Sequence, residues 1–374
     1  MLNVGSMIGS GIFIVPSTIA LYLHSSSSVI SVWVIGGVIS LFGALSIAEL
    51  GTMFPRAGGI YVYLSEAYGK LWGFLYGWSS FTVIMTAAIA AVAVAFATYL
   101  GYFFPLSPFE IKLIAIASIV FLTTINCFGV KFGATVQNGF TFLKIASLGL
   151  LITLGFVFNG GSIHNFSPFF SNENFSSLIS PLGIALIAVL WSYDGWIDIS
   201  FVAGEVKEPQ RNIPRSLFIS TIIIIGLYTL INCVYNYLLP LDVMTKSQLV
   251  ASDAATTIVG NIGASFVAAA VMLSAFGANN GFVFACSRIY YAMAKENLFF
   301  KSVAYVHPKF ETPMVSLIAQ GIWSCVLVVS GTYEQLFTYV VFASWIFYAM
   351  SAGAVMILRK KLPNTTRSYK TWGY

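Results

Sequence analysis

Apolar stretches follow one another along this chain with hardly a gap, and no other feature limits its fold so strongly. Ten can be read, at about 1–22, 29–53, 71–103, 111–128, 136–158, 178–203, 214–239, 262–293, 313–331 and 334–358. They are numbered here as spans 1 to 10. Each approaches or exceeds the roughly 20 residues that a helix needs to cross the hydrocarbon layer of a bilayer. A β-barrel is excluded, because its strands alternate polar and apolar residues and these runs do not. Only 8% of the 374 residues are charged and 58% are hydrophobic. That proportion cannot cover a soluble globule of this size without a large exposed apolar surface. Soluble enzymes, disordered regulators and nucleic-acid binders are thereby excluded. The fold class is an all-α polytopic membrane protein, and its first partner is the lipid bilayer.

Cysteine and histidine remove further classes. Cys127, Cys233, Cys286 and Cys325 stand singly in apolar surroundings, with no C-x-x-C pair and no disulfide framework. His24, His164 and His307 fall in loops far apart in sequence. No metal or haem cluster can be assembled from them, and no cofactor is expected. An enzyme would need a nucleophile beside a base within the membrane, and no spanning histidine exists. A channel would need a ring of charges or a run of filter carbonyls, which is also missing. A carrier remains.

Orientation follows from Lys and Arg, which are in excess in cytoplasmic loops. With the amino terminus inside, the inner loops and tail hold Arg56, Lys70, Lys131, Lys207, Arg211, Arg215, Arg288, Lys295, Lys301, Lys309, Arg359, Lys360, Lys361, Arg367 and Lys370. The outer loops hold only Lys112 and Lys246. Reversal would invert the bias. The chain is expected in the cell membrane with both ends cytoplasmic, which explains its net charge of +5 without nucleic acid. It opens on Met1-Leu2-Asn3-Val4, with no charged region of the kind a cleaved signal peptide carries. Its polar last residues, Ser368 to Tyr374, read as the approach to a further element.

Two spans contain residues that a continuous helix avoids. Span 1 holds Gly5, Gly9, Ser10 and Gly11, and span 6 holds Trp191-Ser192-Tyr193-Asp194-Gly195-Trp196. Glycine weakens a helix and permits unwound backbone. At membrane depth such backbone persists only where it is buried in protein or lines a cavity. Close helix packing is the competing explanation for small residues four apart. It suits Gly73 and Gly77 of span 3 better than the Gly-Ser-Gly triplet of span 1. The interrupted spans are five apart, which predicts a 5+5 inverted repeat with discontinuous helices 1 and 6 around a midplane site. Its parts would be a first repeat over 1–158, a second over 178–358 and a cytoplasmic segment over 359–374 of one transport domain.

Charge within spans is the second signal, because it is costly unless paired or facing water. Lys144, Asp194 and Asp198 lie there. A structural hydrogen bond is an equal alternative for Asp198, and a structural counter-charge is one for Lys144. Glu49, near the cytoplasmic end of span 2, is most simply the partner of a loop cation.

Gly-Ser-Met-Ile-Gly-Ser-Gly-Ile-Phe at 5–13 resembles the helix 1 signature of the amino acid–polyamine–organocation superfamily. Ala48-Glu49-Leu50 with Pro55-Arg56-Ala57-Gly58-Gly59-Ile60-Tyr61 is similar to its helix 2 to helix 3 loop. Gln137-Asn138-Gly139-Phe140-Thr141-Phe142-Leu143-Lys144 resembles helix 5 of the L-type amino acid transporter branch. So do Tyr193-Asp194-Gly195-Trp196, Glu205 with Pro209 and Asn212-Ile213-Pro214, and Asn280-Gly281 with Ser287-Arg288. The likeness runs in order over essentially the whole chain. Such relatives usually have twelve helices and a cytoplasmic amino-terminal tail. Ten spans are present here, without helices 11 and 12, so oligomeric contacts and the inner gate stay open while the transport core is covered.

The resemblance implies an amino acid permease that works by alternating access. An α-amino acid carries a carboxylate and an ammonium on one carbon. The start of the outer half of helix 1 would offer N–H groups and a positive dipole end to the carboxylate. By similarity, Ser10 and the N–H of Gly11 would hold it, with Ile12 adjacent. The carbonyls of Met7, Trp191 and Asp194 would take the ammonium. Trp191 would be an aromatic lid, and Phe282, after Asn280 in helix 8, would face the substrate side chain. Gly11 is expected to let backbone approach the ligand, so that valine there abolishes binding without loss of folded protein. Lys144 would place its ammonium where sodium-driven relatives bind a cation, which implies a sodium-independent exchanger. Lys144, Trp191 and Asn280 are the gating and coupling candidates. The small wall Thr86-Ala87-Ala88-Ile89-Ala90-Ala91 favours neutral L-amino acids. Cationic substrates paired with Asp194, and proton-coupled symport through Lys144 or Asp194, are the alternatives. An accessory subunit is left open.

Overall fold

The computed structural model describes residues 1–158, 160–170, 175–247 and 249–372, with the side chains of 130–137 and 175 outside that description. Lys131 and Gln137, used above for orientation and resemblance, are among those side chains, and Gly373 and Tyr374 also lie outside the described residues. Within the described residues the secondary structure is helical, with no strand. Eight helices there have the length and apolarity to cross a membrane: Ser26–Met53, Lys70–Leu100, Pro108–Cys127, Asn138–Val157, Ser176–Tyr193, Pro209–Leu238, Val250–Lys295 and Tyr333–Lys361. Gly11–Tyr22 and Met314–Ser330 are shorter apolar helices, at the positions of spans 1 and 9. Phe42, Phe142, Ile262 and Phe342 are 63 to 83% exposed on the sides of such helices. Large apolar side chains at that density suit lipid and not water. The chain is a multi-pass membrane protein.

Several boundaries differ from the sequence expectation. Span 8 belongs to a longer helix, Val250–Lys295, which is bent at Val259 and Gly260, where Gly260 adopts φ +67°. Ser252, Asp253, Thr256 and Thr257 dilute the apolar signal ahead of that bend. A helix over Ile60–Tyr68 occupies what reads as loop. Span 1 consists of Leu2–Met7 and Gly11–Tyr22, with Ile8, Gly9 and Ser10 between them. In span 6 the helix Phe175–Tyr193 gives way to a turn, followed by the short helices Asp198–Phe201 and Ala203–Glu205.

Span 3 runs through the middle of the bundle. Ala88, Ile89, Ala90 and Ala91 are fully buried, and the small alanines among them let spans 4, 8, 9 and 10 pack against Met85–Leu100. The helix widens to a π turn at Ser80–Ile84, where the Tyr290 hydroxyl donates to the Ser80 carbonyl at 3.1 Å. Ladder carbonyls loosened by such a turn need other donors.

Buried charges join the ends of the helices. Glu49 is fully buried and accepts from Arg359 at 2.6 and 2.8 Å and from the Thr371 N–H at 2.8 Å, with Arg367 Nε 3.3 Å away. The expected loop cation is thus two arginines from the end of span 10 and the segment beyond it. That segment is folded back onto span 2, where the Thr371 hydroxyl donates to Leu45 at 2.9 Å. Arg288, buried in span 8, pairs with Glu205 at 3.0 Å and stacks on Phe284 at 4.1 Å.

Candidate functional site

A helix ends with carbonyls that find no intrahelical donor. After Leu2–Met7 those carbonyls are met by three other helices. The Lys144 ammonium donates to Gly5 O at 2.5 Å, from span 5. The Tyr228 hydroxyl, from span 7, donates to Met7 O at 2.5 Å and to Ser192 O at 3.1 Å. Ser274, from span 8, donates to Ile8 O at 3.0 Å. Lys144 is only 2% exposed, and the interior position expected of it is found. A Cβ on Gly277 would lie 3.1 Å from its Cε, so the glycine makes room for the lysine.

The two broken regions touch along their backbones. A Cβ on Gly11 would stand 2.6 Å from Ser192 Oγ and 2.8 Å from Ser192 Cα. Gly195, at φ +101°, faces the other half of span 1, and a Cβ there would stand 2.7 Å from Ser6 Cβ and 3.1 Å from Met7 N. Gly11 therefore serves the approach of span 6. The expectation that valine at this position would spare folding is corrected, because the clash is with main chain. Helix Gly11–Tyr22 begins beside this contact with Ser10 as its N-cap, and Ser10 makes no capping bond to it. The first N–H groups of that helix have no carbonyl four residues behind them within the helix, and they carry the positive end of its dipole.

Aromatic groups close one end of the site. Trp191 Nε1 donates to the Tyr333 hydroxyl at 2.9 Å, and that hydroxyl shares a hydrogen bond of 3.1 Å with Ser10 Oγ. The Trp191 ring stacks on Phe337 at 5.9 Å. Asp194 accepts from the Tyr348 hydroxyl at 2.8 Å, and Tyr348 meets Trp196 edge-on at 5.2 Å. Span 10 thus presents two hydroxyls to span 6, one turned toward Trp191 and one toward Asp194.

Between these groups lies a cavity of about 10 Å³, room for about one water. Six of the expected residues line it: Met7, Ser10, Gly11, Trp191, Asp194 and Phe282. Ser6, Gly9, Val92 and Ser192 line it as well: the first two and Ser192 stand in the runs read from the sequence, where they were given no binding role, and Val92 escaped that reading. Val92 is the span 3 residue among them, one position beyond the expected Thr86 to Ala91 wall. Ile12 is fully buried outside the lining. Asn280 is also away from the lining and accepts from Asn126 Nδ2 at 2.8 Å, a tie between spans 8 and 4. The hydroxyl partners Tyr228, Tyr333 and Tyr348 gave no sequence signal, since a tyrosine in an apolar helix is ordinary. Met7 O already accepts from Tyr228 and from the Gly9 N–H at 2.8 Å, which fills its two lone pairs. Trp191 O accepts from the Asp194 N–H at 3.1 Å.

Residues 1–374 match the amino acid permease family along their whole length. The chain belongs to that family. The permease is 33% identical over 371 residues to the serine/threonine exchanger SteT of Bacillus subtilis (strain 168), covering 98% of this chain and 83% of that protein. It is 32% identical over 365 residues to the b(0,+)-type amino acid transporter 1 of Homo sapiens, covering 95% of this chain and 74% of the relative. The cystine/glutamate transporter of Homo sapiens is 32% identical over 377 residues, with 98% and 74% covered. The resemblance read from the motifs is thereby established. The permease is an amino acid transporter and not an enzyme.

Proposed function

We propose that this permease is a sodium-independent exchanger of neutral L-amino acids, working by alternating access through a 5+5 inverted repeat with both ends cytoplasmic. The observation that carries this is the meeting of the two interruptions, Gly11 against Ser192 and Gly195 against Ser6, around a small cavity under Trp191. A zwitterion needs donors and acceptors side by side, and a pair of broken helices supplies both without formal charge. The Ser10 hydroxyl and the N–H of Gly11, with Ile12 behind, would hold the carboxylate. The carbonyls of Trp191 and Asp194 would hold the ammonium, joined by Met7 O once Tyr228 turns away from it. Phe282 and Val92 would border the substrate side chain, and their apolar faces favour neutral ones. A cavity of about 10 Å³ fits a closed form that must widen to admit an amino acid.

Lys144 would supply coupling, its ammonium standing in for a metal cation against span 1. Asn280, tied to Asn126, would hold span 8 to the frame against which span 1 moves. Exchange follows where the loaded carrier reorients faster than the empty one. The kinship with a serine/threonine exchanger and a b(0,+)-type amino acid transporter supports amino acid exchange and leaves side-chain range to the pocket. One observation favours a second substrate class: Asp194 brings a carboxylate to the cavity wall, where a cationic side chain would pair with it.

The test is uptake of labelled alanine into proteoliposomes in sodium or choline medium, with and without internal alanine. Equal rates in both media and dependence on internal substrate are expected. A strong sodium requirement would refute the coupling scheme, and concentrative uptake driven by a proton gradient alone would replace exchange with symport.

A further inference from the structure

Asp198 begins the short helix Asp198–Phe201, beyond Asp194 in span 6, and is only 1% exposed. The backbone donors beside it are spent elsewhere. The Ile199 N–H donates to Asn3 Oδ1 at 2.9 Å and the Ser200 N–H to Ile197 O at 2.8 Å. Asp198 Oδ2 makes no hydrogen bond. Ser6, which Gly195 abuts, holds a hydroxyl near this carboxyl, and that hydroxyl too completes no bond in the geometry observed.

The titratable groups that face Asp198 from other elements are Tyr76 of span 3, Cys286 of span 8 and Tyr348 of span 10. Their hydroxyls and thiol are uncharged at neutral pH. On its own span the neighbour is the Asp194 carboxylate, of like sign. Among the described residues no cation pairs with Asp198. Arg288 of span 8 is held by Glu205 at 3.0 Å and by the Phe284 carbonyl, and Lys144 by Gly5 O at 2.5 Å. Arg211 and Arg215 of span 7 are exposed. Asp198 also lies outside the lining of the cavity under Trp191. A buried acid without a cation or donors keeps its proton in preference to an uncompensated charge.

We propose that Asp198 is a proton-binding site: with spans 1 and 6 in contact its carboxyl is a neutral acid, and it ionises when the two part and water enters. The proton is taken from water as Asp198 is buried and returned to water as it is exposed. This rests on the alternating-access exchanger reading above. The proton accompanies the carrier in both directions of an exchange cycle, so no net proton flux results. The rate of exchange depends on pH through the step that buries Asp198.

The experiment is exchange of labelled alanine in proteoliposomes held at one pH inside and out, over about pH 6 to 8, where an exposed carboxylate is ionised. Rising pH makes the proton harder to capture, so wild-type exchange is expected to fall, by at most about tenfold per unit. Asp198→Asn keeps the shape of the neutral acid and removes the titration. Its rate should lose that slope and exceed the wild-type rate at the alkaline end. Asp198→Ser carries the test if the asparagine variant fails to fold. A wild-type rate that does not fall with pH would overturn the proton site. So would a slope that survives in folded Asp198→Asn, which assigns the titration to another group such as Lys144. A folded but inactive Asp198→Asn would overturn it as well, since a neutral group of the same shape should be buried without difficulty. The need for internal alanine is read in the same vesicles. Uptake without it would refute the exchanger assignment, while the pH slope of that uptake would still test Asp198, so the two failures are distinguishable.

Discussion

The ammonium of Lys144 donates to the carbonyl of Gly5 at 2.5 Å, joining the buried face of span 5 to the last turn of helix Leu2–Met7. A cation at the end of a helix meets the negative end of the dipole and satisfies a carbonyl that the helix cannot. The bond holds span 1 against the bundle, and movement of span 1 away from span 5 must break it.

Replacement of Lys144 by methionine keeps the volume and leaves Gly5 O without this donor. The expected cost is about 1–3 kcal/mol of stability, read as a lower melting temperature in detergent, together with loss of most alanine exchange. Arginine should not rescue, because the Gly277 face leaves no room for a guanidinium. Gly277→Ala should weaken exchange for the same steric reason, since its Cβ would stand 2.5 Å from Phe140 Cβ. Normal exchange by Lys144→Met would remove the lysine from coupling.

Gly11 and Gly9 are two residues apart and should respond oppositely to alanine. A Cβ at Gly11 meets Ser192 main chain at 2.8 Å, whereas at Gly9 the nearest atom is Ala278 Cβ at an ordinary 3.6 Å. Overpacking against backbone is expected to cost about 1–3 kcal/mol, so Gly11→Ala should lower folded yield and Gly9→Ala should not. Gel filtration and thermal melting of both proteins decide this, and equal stability would contradict the contact.

Asp194 is the carboxylate with which a cationic substrate would pair. Its carboxylate is engaged by the Tyr348 hydroxyl at 2.8 Å, which blunts its attraction for a second partner. Excess arginine is therefore expected to inhibit alanine uptake weakly in the wild type and more strongly in Tyr348→Phe, where the carboxylate is released. Potent wild-type inhibition that vanishes in Asp194→Asn would establish cationic substrates instead.

Glu49, fully shielded from solvent, organises two arginines and one backbone N–H. Alanine in its place strands buried positive charge, at an expected cost of about 3–5 kcal/mol. Limited proteolysis should then cut the 362–372 segment faster than in the wild type, at Lys370 or Arg367. An unchanged cleavage pattern would show that the segment is held by other contacts.

Much of this protein was determined by local sequence alone. Runs of apolar residues as long as a bilayer is thick force membrane helices, since backbone polar groups find no other partners in lipid. The Gly-Ser-Gly triplet of span 1 and the Tyr-Asp-Gly-Trp run of span 6 marked the site because glycine and polar residues at membrane depth are costly unless used. Ser10, Gly11 and Asp194 were legible on that ground, whereas Met7, Trp191 and Phe282 came from the family resemblance. Tertiary structure decided what those residues do for each other. That Gly11 abuts Ser192, that Lys144 reaches Gly5, and that Tyr228, Tyr333 and Tyr348 supply hydroxyls to the broken helices depends on approaches between segments 36 to 323 residues apart. No periodicity encodes such distances. A tyrosine in an apolar helix has the same sequence signature whether its hydroxyl meets lipid headgroups or closes a lid, and only the packing of the bundle distinguishes them.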